Sequence, residues 1–254
     1  MSKNVTCFGH CLTRREFLII GGMALGTIIV AEPNIGFMGC ARKGSEQDIH
    51  RDEVIHYQKL SRPKIEELLG VRNYDRFCTA MLREYDQFAP RLPLIEGSRN
   101  RNTFYASAPF MLSLYRALLG ELGFCQDKAL DILNEITSYK VRKDWESRTI
   151  TRFVMSHAAG SEFFRKLTLK GFKWEGEDEY GWATEFPESD AYIAVNITRC
   201  GLVKWFREQG VPEIAPIACE GDFVWAEFMT GLKLVRTKTL AEGYDICDFR
   251  YVKI

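Results

Sequence analysis

The sequence predicts an α+β fold, with a helical N-terminal half packed on a mostly antiparallel C-terminal sheet. Three observations predict it. Apolar residues recur at helical spacing through most of residues 49–170. After Gly171 the period changes to strict alternation. Helices come as one run and strands as another, which marks α+β rather than an alternating α/β chain. The strands alternate instead of running fully apolar, so the sheet is expected to be covered on one face.

The elements follow in order. From Ile49 to about Leu69 the pattern is helical, interrupted by "SRP" at 61–63, where Pro63 suits the first turn of a new helix. Asn73 is placed to cap a helix running to Phe88, with Phe77, Met81, Leu82, Tyr85 and Phe88 on one face. The prolines and glycine of 89–102 predict a loop. "TFYASAPFMLSLYRALLGELGF" reads as a buried helix ended by Gly123. "DKALDILNEITSYKVRKDW" reads as an amphipathic one with Asp127 near its start. One further helix is expected from Thr149 to Lys170, weakened by Gly160 and stopped by Gly171. Strands are expected at 180–186 and 191–198, joined by a "PESD" turn. A short helix at 200–210 and a helix at 212–228 broken at Pro216 come next. Two strands, 232–240 and 246–254, flank an "AEGYD" turn.

The chain has 254 residues, 46% of them hydrophobic, which suits one domain able to bury a continuous core. Its formal net charge is zero and no basic stripe is visible, so nucleic acid is not expected as a partner. "LTRREFLIIGGMALGTIIVA" sets Arg14 and Arg15 after Thr13 and before an apolar run from Phe17 to Ala31. That pattern resembles a twin-arginine export signal, and the run is shorter than the roughly 20 residues that span a bilayer. "GFMGC" resembles a lipidation box ending at Cys40, with Phe37 where leucine is usual. The expected organisation is a signal over 1–40, a linker over 41–48 and one domain over 49–254, helical to 170 and sheet-rich from 171. The expected location is across the cytoplasmic membrane. Contact with the twin-arginine machinery, and with the membrane through signal or lipid anchor, follows.

Eight cysteines are present and none forms a CxxC pair; Cys7 and Cys11, spaced CxxxC, precede the apolar run. Beyond Cys40 five remain, an odd number, so internal pairing leaves at least one free. Cys200 starts a helix, where the partial positive charge of the helix end is expected to lower its pKa. Cys219 precedes "EGD", and Cys247 opens the last strand. On that strand Cys247, Phe249 and Tyr251 share one face, while Asp248 and Arg250 share the other. The second pair is placed to meet a polar ligand, or charges of a neighbouring strand such as Arg236 or Lys238. Three cysteines plus His157 are a conceivable zinc set, but their spacing matches no standard metal pattern, so no metal site is expected and no cofactor is required. No GxSxG, HExxH, P-loop or GxGxxG occurs.

The stretch "NITRCGLVKWFREQGVPEIAPIACEGDFVWAEF", followed by "LVRTKTLAEGYDICDFRY", resembles the L-2-amino-thiazoline-4-carboxylic acid hydrolase family. "TRC", "CEGDF" and "T…EG…CDFRY" carry the likeness. The resemblance implies hydrolysis of a small cyclic amidine, at its carbon–nitrogen bonds, with 2-aminothiazoline-4-carboxylate opened to a carbamoyl-cysteine. Such a reaction needs a nucleophile or activated water, a carboxylate for the amidinium and a cation for the substrate carboxylate. The matching positions offer Cys200, Cys219 and Cys247 as attacking or activating groups. Asp222 and Asp248 are the candidate carboxylates. Arg199, Arg250 and Asn196 are the candidate substrate-binding residues. The alternative expectation is a non-catalytic ligand-binding or thiol redox-sensing module on the same fold.

Overall fold

The computed structural model describes residues 46–95, 103–173 and 179–254. The expected export signal, the lipidation candidate Cys40, and Cys7 and Cys11 lie outside the described residues. Helix α1, Glu46–Leu60, begins inside the segment expected to be linker. Ser61 separates it from α2, Arg62–Leu69, which carries Pro63 in its first turn and stops at Gly70, φ 85°. Helix α3, Tyr74–Phe88, buries Tyr74, Phe77, Ala80, Met81, Tyr85 and Phe88. Asn73 precedes it without capping it; its amide instead donates to Leu69 O at 2.6 Å. Helix α4, Ala108–Gly120, is apolar nearly all round and touches α1, α3 and α5, Gln126–Ser147. A helix apolar on every side belongs at the centre of a core, and α4 is there.

The expected single helix over 149–170 is two, α6 (Thr149–Ala158) and α7 (Glu162–Phe172). The break falls at Gly160 and Ser161, whose hydroxyl accepts from Phe164 N at 3.2 Å as an N-cap. Gly160 costs helix propensity and the serine satisfies an orphan donor, so two caps replace one continuous helix. Strands β1 (Ala183–Glu185) and β2 (Ile193–Arg199) follow, then α8 (Gly201–Glu208) and α9 (Ala215–Ala226). Pro216 lies in the first turn of α9 and begins that helix rather than breaking it. Strands β3 (Leu232–Val235) and β4 (Cys247–Lys253) complete a four-stranded antiparallel sheet of order β1-β2-β4-β3.

The sheet is covered on one face. Ile193, Val195, Ile197, Leu232, Leu234, Cys247, Phe249 and Tyr251 are buried, and the residues between them are not. Aromatic rings tie helices to sheet: Trp225 of α9 packs edge-on against Tyr251 at 5.9 Å and beside Trp145 of α5, also at 5.9 Å. Gly221 brings α9 close to α5, since a Cβ there would already touch Val141 at 3.5 Å. Helix α9 is thus held between α5 and the inner face of the sheet, and the chemistry gathers there.

Candidate functional site

Asp222 lies mid-way along α9, one turn beyond Cys219. Its Oδ2 accepts from Arg236 Nη1 at 2.6 Å. Arg236 sits one residue past β3 and is almost sealed, with 3% of its side chain exposed, whereas Asp222 keeps 40%. The same guanidinium donates to Cys219 O at 3.1 Å and lies over the rings of Phe223 at 4.7 Å and Phe249 at 5.3 Å. Glu220 stands 3.9 Å from it at the rim. Burial pushes the Asp222 carboxyl up to about 6, against the charge and hydrogen bond of Arg236, which pull it down. Asp222 is thus a carboxylate surrounded densely enough to be desolvated, yet open to solvent over part of its surface.

Three thiols lie within the electrostatic reach of Asp222. Cys200 is the N-cap of α8 without a side-chain cap hydrogen bond, though the nearby backbone N–H groups of Val203 and Leu202 pull its pKa down. The fields of Cys247 and Asp222 act on it. Cys219 feels Asp222, Cys200, Arg236 and Cys247. Cys247 accepts from Leu240 N at 3.2 Å and feels Asp222, Arg236 and Asp248. The lowered pKa expected for Cys200 is not found. Burial outweighs the two N–H donors and pushes its thiol up to about 12, and it raises Cys219 and Cys247 as well. A helix N-terminus favours thiolate only where water also reaches the sulfur. These groups sit within one another's fields without forming a ligand cage. Among the described residues no three or more His, Cys, Asp or Glu side chains gather closely enough to hold a metal ion. His157 is elsewhere, stacked on Phe153 at 4.3 Å.

The remaining candidates occupy the other face of the sheet or its edge. Asn196 pairs with Asp248 and Ala194 with Arg250 across β2 and β4. Arg250 donates to Val195 O at 3.2 Å, Phe249 O at 2.8 Å and Asn196 Oδ1 at 2.8 Å, which stitches the two strands together. Asp248 accepts from Thr237 N at 2.8 Å, Lys238 N at 2.6 Å and Thr237 Oγ1 at 2.7 Å. Burial opposes its ionisation, but these donors outweigh it and hold its pKa below the usual value. Both side chains are thus engaged with their own chain. Arg199 ends β2 beside Cys200, opposite Ala183, where the register shifts by one residue. A depression of about 380 Å³ between Arg165, Leu169, Phe186 and Pro187 contains none of these candidates.

Sequence reasoning missed Arg236 as a site residue, naming it only as a neighbouring-strand charge for Asp248 or Arg250 to meet. The local signal was "VRTKT", where alternation after Val235 stops and polar residues crowd together. The structure shows why the stretch leaves the strand. Asp248 folds it back, the Thr239 hydroxyl accepts from Glu242 N at 3.1 Å to cap a 3₁₀ turn and donates to Glu242 Oε2 at 2.9 Å, and Gly243 closes it at φ 93°. The "T…EG…CD" pattern is therefore largely the bracket that delivers Arg236 to Asp222.

No curated relative and no solved structure matches the chain. The model of one family, described as L-2-amino-thiazoline-4-carboxylic acid hydrolase, matches residues 106–251, more than half of the chain and every group around Asp222. That match contains "TRC", "CEGDF" and "CDFRY", and the chain belongs to the L-2-amino-thiazoline-4-carboxylic acid hydrolase family.

Proposed function

We propose that the protein hydrolyses a small cyclic amidine such as 2-aminothiazoline-4-carboxylate, with Asp222 as its principal catalytic group. One observation carries this reading: a part-exposed carboxylate held at 2.6 Å by a buried arginine, with burial pushing its pKa up. A base with a pKa near the working pH is both unprotonated and basic enough to take a proton. Water adds to the C=N carbon and gives one proton to Asp222; the π pair moves to nitrogen. The carbon–sulfur bond then breaks as the new hydroxyl becomes the carbonyl, the proton of that hydroxyl passes to the nitrogen that took the π pair, and Asp222 returns its own proton to sulfur. Substrate plus one water becomes carbamoyl-cysteine, and the enzyme is unchanged. The thiols, held protonated, line the site as neutral, polarisable walls. We assign the substrate carboxylate to Arg199, which ends β2 beside Cys200; Arg250 is bound to β2.

The test is turnover of 2-aminothiazoline-4-carboxylate followed by mass spectrometry of the product. Wild-type protein is expected to form carbamoyl-cysteine. Asp222→Asn is expected to lose about 100-fold or more in kcat/KM, the scale of a lost general base, while keeping its circular dichroism spectrum. The sign of the pH dependence follows from the raised carboxyl. Asp222 is the active base above its pKa, so kcat/KM is expected to fall as the pH drops through about 6. Thermal stabilisation by the thiazoline without any product would instead identify a binding module.

A further inference from the structure

Tyr251 is the last residue of the family match and closes the inner face of β4. It is 0% exposed, and its hydroxyl makes no hydrogen bond to any described residue. Buried polar groups are almost always bonded, so an orphan in a core calls for a reason. The neighbours locate it. The ring lies edge-on to Trp225 at 5.9 Å, and Asp222 is one turn back along the same helix. Phe172 flanks the ring at 6.4 Å. The two charges that act on the hydroxyl are those of Asp222 and Arg236, and it is hydrogen-bonded to neither. A second residue of the same strand face, Phe249, lies beneath the Arg236 guanidinium at 5.3 Å. The orphan thus lies behind the Asp222–Arg236 pair, within reach of both charges, rather than in some unrelated corner of the core.

We propose that the Tyr251 hydroxyl donates a hydrogen bond to the substrate bound at Asp222, making it a further catalytic residue. This rests on the hydrolase reading above. Burial and the nearby carboxylate keep the phenol protonated far above neutral pH, so it acts as a donor and never as a base. Its work complements that of Asp222. As water attacks, Asp222 takes a proton on one side of the reacting carbon. The π pair collects on nitrogen on the other, and a fixed donor aimed there stabilises the developing charge. Tyr251 keeps its proton throughout, so the balance of the reaction is unchanged.

The experiment is Tyr251→Phe, which removes the oxygen and preserves the ring. The free variant is expected to melt at or above the wild-type temperature, because a hydroxyl bonded to nothing stabilises nothing. Its kcat/KM for 2-aminothiazoline-4-carboxylate is expected to fall about 100-fold, as for a lost transition-state donor. A variant that melts clearly below wild type overturns the proposal, since the hydroxyl would then be a structural bond. Active wild type with an equally active variant overturns the role of Tyr251 alone. Wild type that leaves the thiazoline intact overturns the hydrolase reading, and this one with it.

Discussion

Arg236 divides its guanidinium among a carboxylate, a carbonyl and two aromatic faces, and this makes it the residue on which the Asp222 site depends. A planar fork does this; an ammonium cannot, because it offers a point charge and no flat face to stack. Its loss would leave Asp222 desolvated without its counter-charge. The carboxyl is already raised by burial against the pull of Arg236, so removing that pull raises it further. Arg236→Met is therefore expected to move the acid limb of kcat/KM upward, above the wild-type value of about 6. Arg236→Lys restores a cation and is expected to bring the limb part of the way back. An unmoved limb in Arg236→Met would show that Asp222 is not the group that titrates. Stability is the poorer readout, since the part-exposed carboxylate is screened by water.

At the scale of elements, the turn from β2 into α8 sets the position of Cys200. Gly201 is the first residue of that helix, and a Cβ on it would fall 1.8 Å from Tyr180 O. No backbone carbonyl yields that distance, so the "CG" of this segment is a packing requirement and not a flexible hinge. Gly201→Ala is expected to push the start of α8 off the preceding chain, at about 1–3 kcal/mol for an overpacked site. A lowered urea midpoint with unchanged slope would show it. Because Cys200 and the end of β2 move with α8, ring opening is expected to fall in the same variant. An alanine variant with wild-type stability would mean that Tyr180 and the start of α8 do not approach as described. The short 3₁₀ turn at Leu240–Glu242 plays the matching part on the other side, holding the loop that carries Arg236.

At the scale of the whole molecule, the α+β division was legible because helical and alternating periods differ over long stretches. The inner face of β4 was legible too, since Cys247, Phe249 and Tyr251 follow the pleat. Two things were not. Alternation shows only the face a charge takes and not its hydrogen bonds; Asp248 and Arg250 both bond to their own chain. Nor does local position reveal burial from distant elements, which reversed the expected pKa of Cys200. That second point has a measurable consequence for the molecule's thiols. None of the five cysteines among the described residues is paired, and only Cys125 is exposed. Cys78 is raised to about 11 by burial, and Cys200 to about 12 for the same reason. Alkylation needs both access and thiolate. Iodoacetamide at neutral pH, mapped by mass spectrometry, is expected to label Cys125 first among these five and to leave Cys200, Cys219 and Cys247 unmodified until urea unfolds the chain. Early labelling of Cys200 would mean that its sulfur is thiolate and solvent-facing. The neutral-walled site would then have to give way to a thiol nucleophile, with Asp222 as its partner instead of its replacement.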